Sequence, residues 1–414
     1  MKNPLAISII AILFALTLLS CSDDKDDSPM PDQVSTPAQL TTALTDIYND
    51  SDAPGFAVSV VKNDAVIYQQ AFGKADLEAN RAYTNQTTQP IGSISKTFVA
   101  AAIVKAIEEG HFDLETDIND ILPVALVNPK NPGAVIRVKH LVTHTSGLLD
   151  NYEAYFQAYH ILPGENLDLE GAQLMQDGFG IQQRETLPLE DFLAEYYFED
   201  GDLYSPDNFA TAAPGTQWAY SNIATSLAAY LVETATGTPF REYIQTHILQ
   251  PLGMNQTAYD AADLDQNQMA KLYWEKDTPL PKYANDSYPD GSINTSNEDL
   301  SRFLLDMMRG AKGQSTTLFS QQGYAMLFEA LLPTGIVPAM LGENYGVFWA
   351  LNGSTIHHDG SDPGTTCNLQ FDKSSNTGYL LLTNMDASID EHEAAYFDLA
   401  GKVSEAIDEF VQAN

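Results

Sequence analysis

The spacing of apolar residues changes period three times along this chain. Leu40, Leu44 and Ile47 recur at helical spacing and predict a helix over residues 37–48. Two β-rich runs follow, 55–61 and 65–72, with Asn63-Asp64 between them as a hairpin turn signal. A continuous stripe of Phe98, Val99, Ala102, Ile103, Ala106 and Ile107 then predicts a helix that begins just after Ser93 and stops at Gly110. From there to about residue 332 the pattern is mostly helical, with long loops. Within it, the acidic, aromatic stretch 151–208 reads as an insertion over whatever site the fold builds. The last third returns to strand, with short β-like runs at 345–349, 353–357, 366–371 and 378–383. An amphipathic helix over 391–411 closes the chain. Strands at both ends with helices between predict an α+β fold, one sheet built from distant segments with a mainly helical subdomain inserted into it.

Composition narrows the classes of function. The 414 residues are 44% hydrophobic and 10% aromatic, ample for a core. A formal net charge of −36 argues against binding nucleic acid or an anionic membrane face, both of which need clustered Lys and Arg. Ahead of the first periodic segment, Lys2 precedes an apolar run from Leu5 to Leu19, which reads as a secretory signal. The run is short for a membrane span, which takes about 20 apolar residues. Leu18-Leu19-Ser20-Cys21 resembles a bacterial lipobox, so the expectation is a signal peptide over 1–21 with Cys21 lipidated; a plain cleaved signal is the alternative. Residues 22–35 would be an acidic, flexible linker, and 36–414 the folded domain. The chain would then be an exported lipoprotein, at the periplasmic face of an outer membrane or at the cell surface, touching membrane only through its lipid. Cys367 is the only other cysteine, so no intramolecular disulfide would form, and it is expected as a small buried residue.

Candidate chemistry starts at Ser93-Ile94-Ser95-Lys96. A turn, Pro90-Ile91-Gly92, runs there into the predicted helix, so Ser93 and Lys96 share a face one turn apart. A serine hydroxyl needs a base before it attacks, and a buried lysine can be that base. Ser22-Asp23-Asp24-Lys25 and Ser59-Val60-Val61-Lys62 match the same pattern, but only Ser93 has a helix to deliver its lysine. The competing role for Ser93 is an ordinary helix N-cap.

Two further patterns complete a site. Tyr220-Ser221-Asn222 stands between a Pro214-Gly215 turn and a helical run. A phenol near a lysine ammonium is stabilised as phenolate, so Tyr220 would take the Ser93 proton and return it to the leaving group. Asn222 would either orient Lys96 or donate to a substrate amide. His358-Asp359-Gly360 lies in a β-like run. Gly360 is expected to let substrate backbone approach the strand edge, and the N–H of Ser361 would join that of Ser93 as an oxyanion hole.

In this order, the three motifs resemble the serine β-lactamase-like family of class C β-lactamases, D-alanyl-D-alanine carboxypeptidases, D-aminopeptidases and related esterases. The phrases Val138-Lys139-His140-Leu141-Val142-Thr143-His144-Thr145-Ser146-Gly147-Leu148, Leu249-Gln250-Pro251-Leu252-Gly253-Met254 and Asp299-Leu300-Ser301-Arg302-Phe303 fill the intervals in the same way. The resemblance implies the β-lactamase/transpeptidase-like fold. It also implies Ser93 as acyl-forming nucleophile, Lys96 as its partner, Tyr220 as general base and acid, Asn222 as a substrate-positioning residue and His358 at the third motif. Lysine is usual where His358 stands, and many relatives carry threonine or a small residue where Asp359 stands. A carboxylate facing the site would repel the carboxylate of a β-lactam, which favours a peptidase, carboxypeptidase or esterase acting on a small peptide or ester. A true class C-like β-lactamase is the alternative, and a catalytically idle peptidoglycan- or peptide-binding protein is the rival from another class. No cofactor or metal is expected. His140 and His144 stand four apart but lack the glutamate of a His-Glu-x-x-His site, and the resemblance makes them packing or hydrogen-bonding residues. Specificity is expected from loops 151–208 and 310–343.

Overall fold

The computed structural model describes residues 34–339 and 341–414, so the expected signal peptide, Cys21 and nearly all of the linker lie outside the described residues. Helix α1, Pro37–Asn49, opens with a capping box between Thr36 and Gln39. Strands β1, Gly55–Lys62, and β2, Ala65–Asp76, form the expected hairpin. Its turn residues Asn63 and Asp64 have φ of 49° and 65°, the left-handed pair that a tight two-residue hairpin requires. A short β3, Arg81–Ala82, follows, then helix α2, Ser95–Glu108, helix α3, Asn222–Thr236, and helix α4, Asn297–Ala311. Strands β4, Asn344–Tyr345, β5, Ala350–Asn352, β6, Thr355–Asp362, β7, Thr365–Asp372, and β8, Thr377–Thr383, lead into the closing helix α5, Asp390–Ala413.

The sheet runs β4-β5-β6-β7-β8-β1-β2-β3, with antiparallel pairing throughout. The first long strand therefore lies beside the last, with Phe56 opposite Thr383 and Lys62 opposite Thr377. Both faces of β1 are covered. Phe56, Val58 and Val60 pack with Leu40 and Leu44 of α1 and Leu399, Val403 and Phe410 of α5. Val61, Leu380 and Leu382 pack on the other side with Phe98 of α2, Phe303 of α4 and Trp349. This two-sided burial explains why β1 reads as a continuous apolar run rather than an alternating one.

Two expectations need correction. The run 345–349 is not one strand: the Gly346 N–H donates back to the Trp349 carbonyl at 2.9 Å and Phe348 sits at φ 54°, so it splits into β4 and β5. The interval from Gly110 to residue 332 is also less helical than its pattern suggests. Outside α3 and α4 it holds shorter helices, such as Leu189–Tyr197, the helical run 240–252 and Gln321–Leu327, separated by long loops, turns and small ladders such as Tyr159–Ile161 against Tyr283–Asn285. Among the described residues no helix is long and apolar enough to cross a membrane.

One detail of the sheet positions the site. β5 pairs with β6 only as far as His357, which lies opposite Ala350. Beyond His357 a single helical turn, Gly92–Ile94, packs against β6 and leads directly into α2.

Candidate active site

Ser93 lies inside that turn, and α2 begins two residues later without a side-chain cap. The hydroxyl is therefore free of the N-cap role and engages the site. Lys96 is fully buried. Its Nζ is 2.9 Å from Ser93 Oγ, 2.6 Å from Asn222 Oδ1 and 2.8 Å from the Asp290 carbonyl oxygen. The Ser93 side chain is close enough to the Tyr220 phenol to favour its ionised form, and Lys96 Nζ lies 5.0 Å from the Tyr220 ring centre. The first two sequence motifs thus converge on one point.

The partners around Lys96 constrain its protonation. An amide oxygen and a peptide carbonyl only accept. A neutral amine would spend both its hydrogens on them and turn its lone pair toward Ser93. Burial pushes the Lys96 amine below its ordinary range, against the pull of Asp290, Asp150 and Asp362. Tyr220 departs from expectation. Burial holds its phenol well above its ordinary range, outweighing the opposite effect of Ser93. It rests as a neutral phenol, because the cost of burying a phenolate exceeds what the lysine returns.

Asn222 is the first residue of α3, behind the N-cap Ser221. Its orientation is set by Asp150, a residue the sequence reading missed. One Asp150 oxygen accepts from Asn222 N–H at 2.9 Å and Asn222 Nδ2 at 2.8 Å; the other accepts from Ile223 N–H at 3.1 Å and Ser221 Oγ at 3.0 Å. With the amide nitrogen bonded to Asp150, the amide oxygen must face Lys96, so of the two expected roles the structure favours the orientation of Lys96. Asp150 and Asp290 were indistinguishable from the chain's many other acids in sequence. Only their distance from Lys96 in the fold marks them.

The third motif contributes geometry as well as chemistry. A β-carbon at Gly360 would sit 1.9 Å from the Ile91 carbonyl oxygen and 3.0 Å from Ser93 N; one at Gly92, where φ is 52°, would sit 2.5 Å from Ser361 N. Two glycines therefore let turn and strand touch, bringing the backbone nitrogens of Ser93 and Ser361 to one seam. Gly360 thus permits a close approach by Ile91, within the protein. His358 Nδ1 is 2.7 Å from the Asp359 carbonyl oxygen, which fixes the hydrogen on Nδ1. Its Nε2 is buried and has no hydrogen-bond partner. Burial, and then the nearby Lys96, push His358 down to about 3, so it carries no charge at neutral pH. Asp359 lines the cavity but is tied to Asn368, directly opposite on β7, at 2.5 Å.

Tyr155, Phe156 and Tyr159 from the 151–208 stretch line the same cavity, as expected of an insertion over the site. Among the described residues, 310–343 contribute nothing to its lining; only Tyr345, just beyond, does. The two histidines weighed as zinc ligands accept backbone N–H bonds instead, His140 from Arg137 at 3.1 Å and His144 from Ser221 at 3.2 Å. The His144 ring also lies 4.4 Å from that of Tyr220.

Comparison with known proteins identifies the family. The model of the β-lactamase family matches residues 38–401. This chain belongs to the β-lactamase family. The family is one of serine hydrolases, and matched relatives include an esterase, a D-aminopeptidase, penicillin-binding proteins and a β-lactamase. Esterase EstB of Burkholderia gladioli is 29% identical over 235 residues, 56% of this chain and 54% of that protein. The β-lactamase of Escherichia coli K12 is 25% identical over 321 residues, 77% of this chain and 72% of that one. In structure, the chain resembles the octameric penicillin-binding protein homologue from Pyrococcus abyssi, with a TM-score of 0.67 at 22% identity, covering 89% of this chain and 77% of the other. That likeness speaks to the fold. The chain spans about half the length of the esterase.

Proposed function

We propose that this protein hydrolyses small esters or amides through an acyl-enzyme on Ser93. The observation that carries the reading is the set of partners around Lys96 Nζ, Asn222 Oδ1 and the Asp290 carbonyl, which occupy both hydrogens of a neutral amine and so leave that amine's lone pair for Ser93 Oγ. Ser93 Oγ attacks the carbonyl as Lys96 takes its proton. The oxyanion is held by the N–H groups of Ser93 and Ser361. The neutral Tyr220 gives its proton to the departing oxygen or nitrogen and recovers one from Lys96, and water then releases the acyl group by the reverse route. Asn222 and Asp150 hold Lys96 in place. The neutral His358 supplies no cation for a substrate carboxylate, which favours a peptidase or esterase over a β-lactamase. In the same reading the chain is an exported lipoprotein attached through Cys21; Cys21→Ala should abolish incorporation of labelled fatty acid, and retained label would refute the anchor.

The test of the chemistry is intact mass after incubation with a fluorophosphonate, alongside turnover of penicillin and a p-nitrophenyl ester. The expected result is a Ser93 adduct and ester turnover, both lost in Ser93→Ala with the melting temperature kept. Fast penicillin clearance would make the protein a β-lactamase instead. No adduct with any probe would make it an idle binding protein.

A further inference from the structure

The geometry points to a cation subsite inside the cavity, where the carboxylates of Asp362 and Asp290, beside the rings of Tyr155 and Tyr159, hold the ammonium group of an amine-bearing ester or amide. This rests on the serine hydrolase reading and adds the substrate class to it.

The charge balance of the cavity is one-sided. Asp290, Asp359, Asp362 and Glu393 line it, and among the described residues no Lys or Arg does. Lys96, just beneath, directs its Nζ to the Asp290 peptide oxygen rather than to either carboxylate. Asp359 is engaged by Asn368, and burial keeps His357 and His358 uncharged at neutral pH. The carboxylates of Asp290 and Asp362 have hydroxyl donors as their near partners: Tyr155 at 3.0 Å, Ser287 at 2.7 Å and Ser226 at 3.3 Å for Asp290, Tyr159 at 2.6 Å for Asp362. Buried carboxylates are stable when matched by a cation. Burial raises Asp290 to about 6, and burial together with the Asp290 charge raises Asp362 to about 7, in both cases against the pull of Lys96.

Two further features point to a donor ligand. His358 lines this cavity, and its Nε2, buried and without a hydrogen-bond partner among the described residues, carries a lone pair that only an N–H or O–H group satisfies. A β-carbon at Gly291 would lie 3.1 Å from Asp362 Oδ2, so the absent side chain leaves space against that oxygen. Aromatic walls add attraction for a cation in a desolvated site.

Benzylamine and its uncharged isostere benzyl alcohol, titrated by calorimetry into the full chain at pH 8, test the subsite. The amine should bind at least about tenfold more tightly, as charged hydrogen bonds in a buried site do. The ratio should collapse toward one in Asp362→Asn. It should also fade in the unmodified protein between pH 8 and pH 5, as Asp362 and Asp290 protonate among Tyr159, Tyr155, Asp150 and Lys96. Equal binding of the two compounds, or binding of neither, would overturn the proposal even if the variant failed to fold. Fluorophosphonate labelling of Ser93 separates the two levels: label without amine preference leaves the hydrolase and removes the subsite, and amine preference without label leaves the subsite and removes the hydrolase.

Discussion

Asp150→Asn is the sharpest probe of how the site is held together. The carboxylate accepts four hydrogen bonds at 2.8–3.1 Å, two on each oxygen, all from Ser221, Asn222 and Ile223 at the start of α3. An asparagine offers one oxygen. Whichever way its amide turns, a donor then faces two groups that previously donated. Each bond to a charged acceptor is worth about 1.5–3 kcal/mol, and each buried donor left unpaired costs about 1–3 kcal/mol. Allowing for overlap between neighbours, the net loss should be about 3 kcal/mol, and the negative charge at the helix N-terminus goes with it. Urea unfolding should show a lower midpoint at unchanged slope. Freed from Asp150, the Asn222 amide also loses its fixed orientation toward Lys96, and misplacement on this scale lowers kcat by about ten- to a hundredfold. A further signature separates positioning from mere destabilisation. Asp150 raises the Lys96 proton affinity, so its neutralisation should move the acid limb of kcat/KM to lower pH. A variant with the parent's urea midpoint, ester turnover and pH profile would refute the role given to Asp150.

Gly360→Ala should disrupt the Ile91 contact, since its β-carbon would fall 1.9 Å from a backbone oxygen; expected are about 1–3 kcal/mol of destabilisation and slow fluorophosphonate labelling, and parent-like labelling would contradict the seam. Lys96→Ala removes the proposed base and leaves two acceptors unpaired, so ester turnover should fall by at least about a hundredfold; near-parent rates would show that the proton leaves Ser93 by another route. Asp362→Asn should change the pH dependence of stability. Asp362 sits at about 7 in the fold against an ordinary 3.8, so the folded protein binds that proton more tightly than the unfolded chain, and stability is lost as pH rises from about 4 through 7. The asparagine variant lacks this loss and should gain melting temperature on its parent between pH 5 and pH 8; an unchanged difference would argue against a buried, ionising Asp362.

The elements that carry periodicity were readable in the chain. α1, the β1–β2 hairpin and α5 announce themselves through Leu40 and Leu44, Asn63-Asp64 and a long amphipathic run, because each is built by local spacing and then buried on a predictable face. The three motifs were readable for a similar reason: a helix delivers Lys96 to Ser93 within one turn. What escaped the reading depends on contacts far apart in sequence. The break at Phe348 follows from packing, for a β-carbon at Gly346 would strike the Leu327 carbonyl at 2.2 Å. The neutral state of Tyr220 follows from burial, which residue identity does not encode. Asp150 and Asp290 are two acids among 56 acidic residues, and nothing local separates them from solvated surface charge.

The pairing of β1 with β8 also orders events in time. Lys62 Nζ bonds the Val411 carbonyl oxygen at 2.6 Å across 349 positions of sequence, and β1 cannot gain its second neighbour until the last strand exists. A growing chain therefore carries β1 with one open, apolar edge through most of its synthesis, the kind of edge that invites pairing with other chains. Such topology folds slowly, because its decisive contacts close the longest loops. Losing the last strand and helix would thus leave a split sheet rather than a shorter domain.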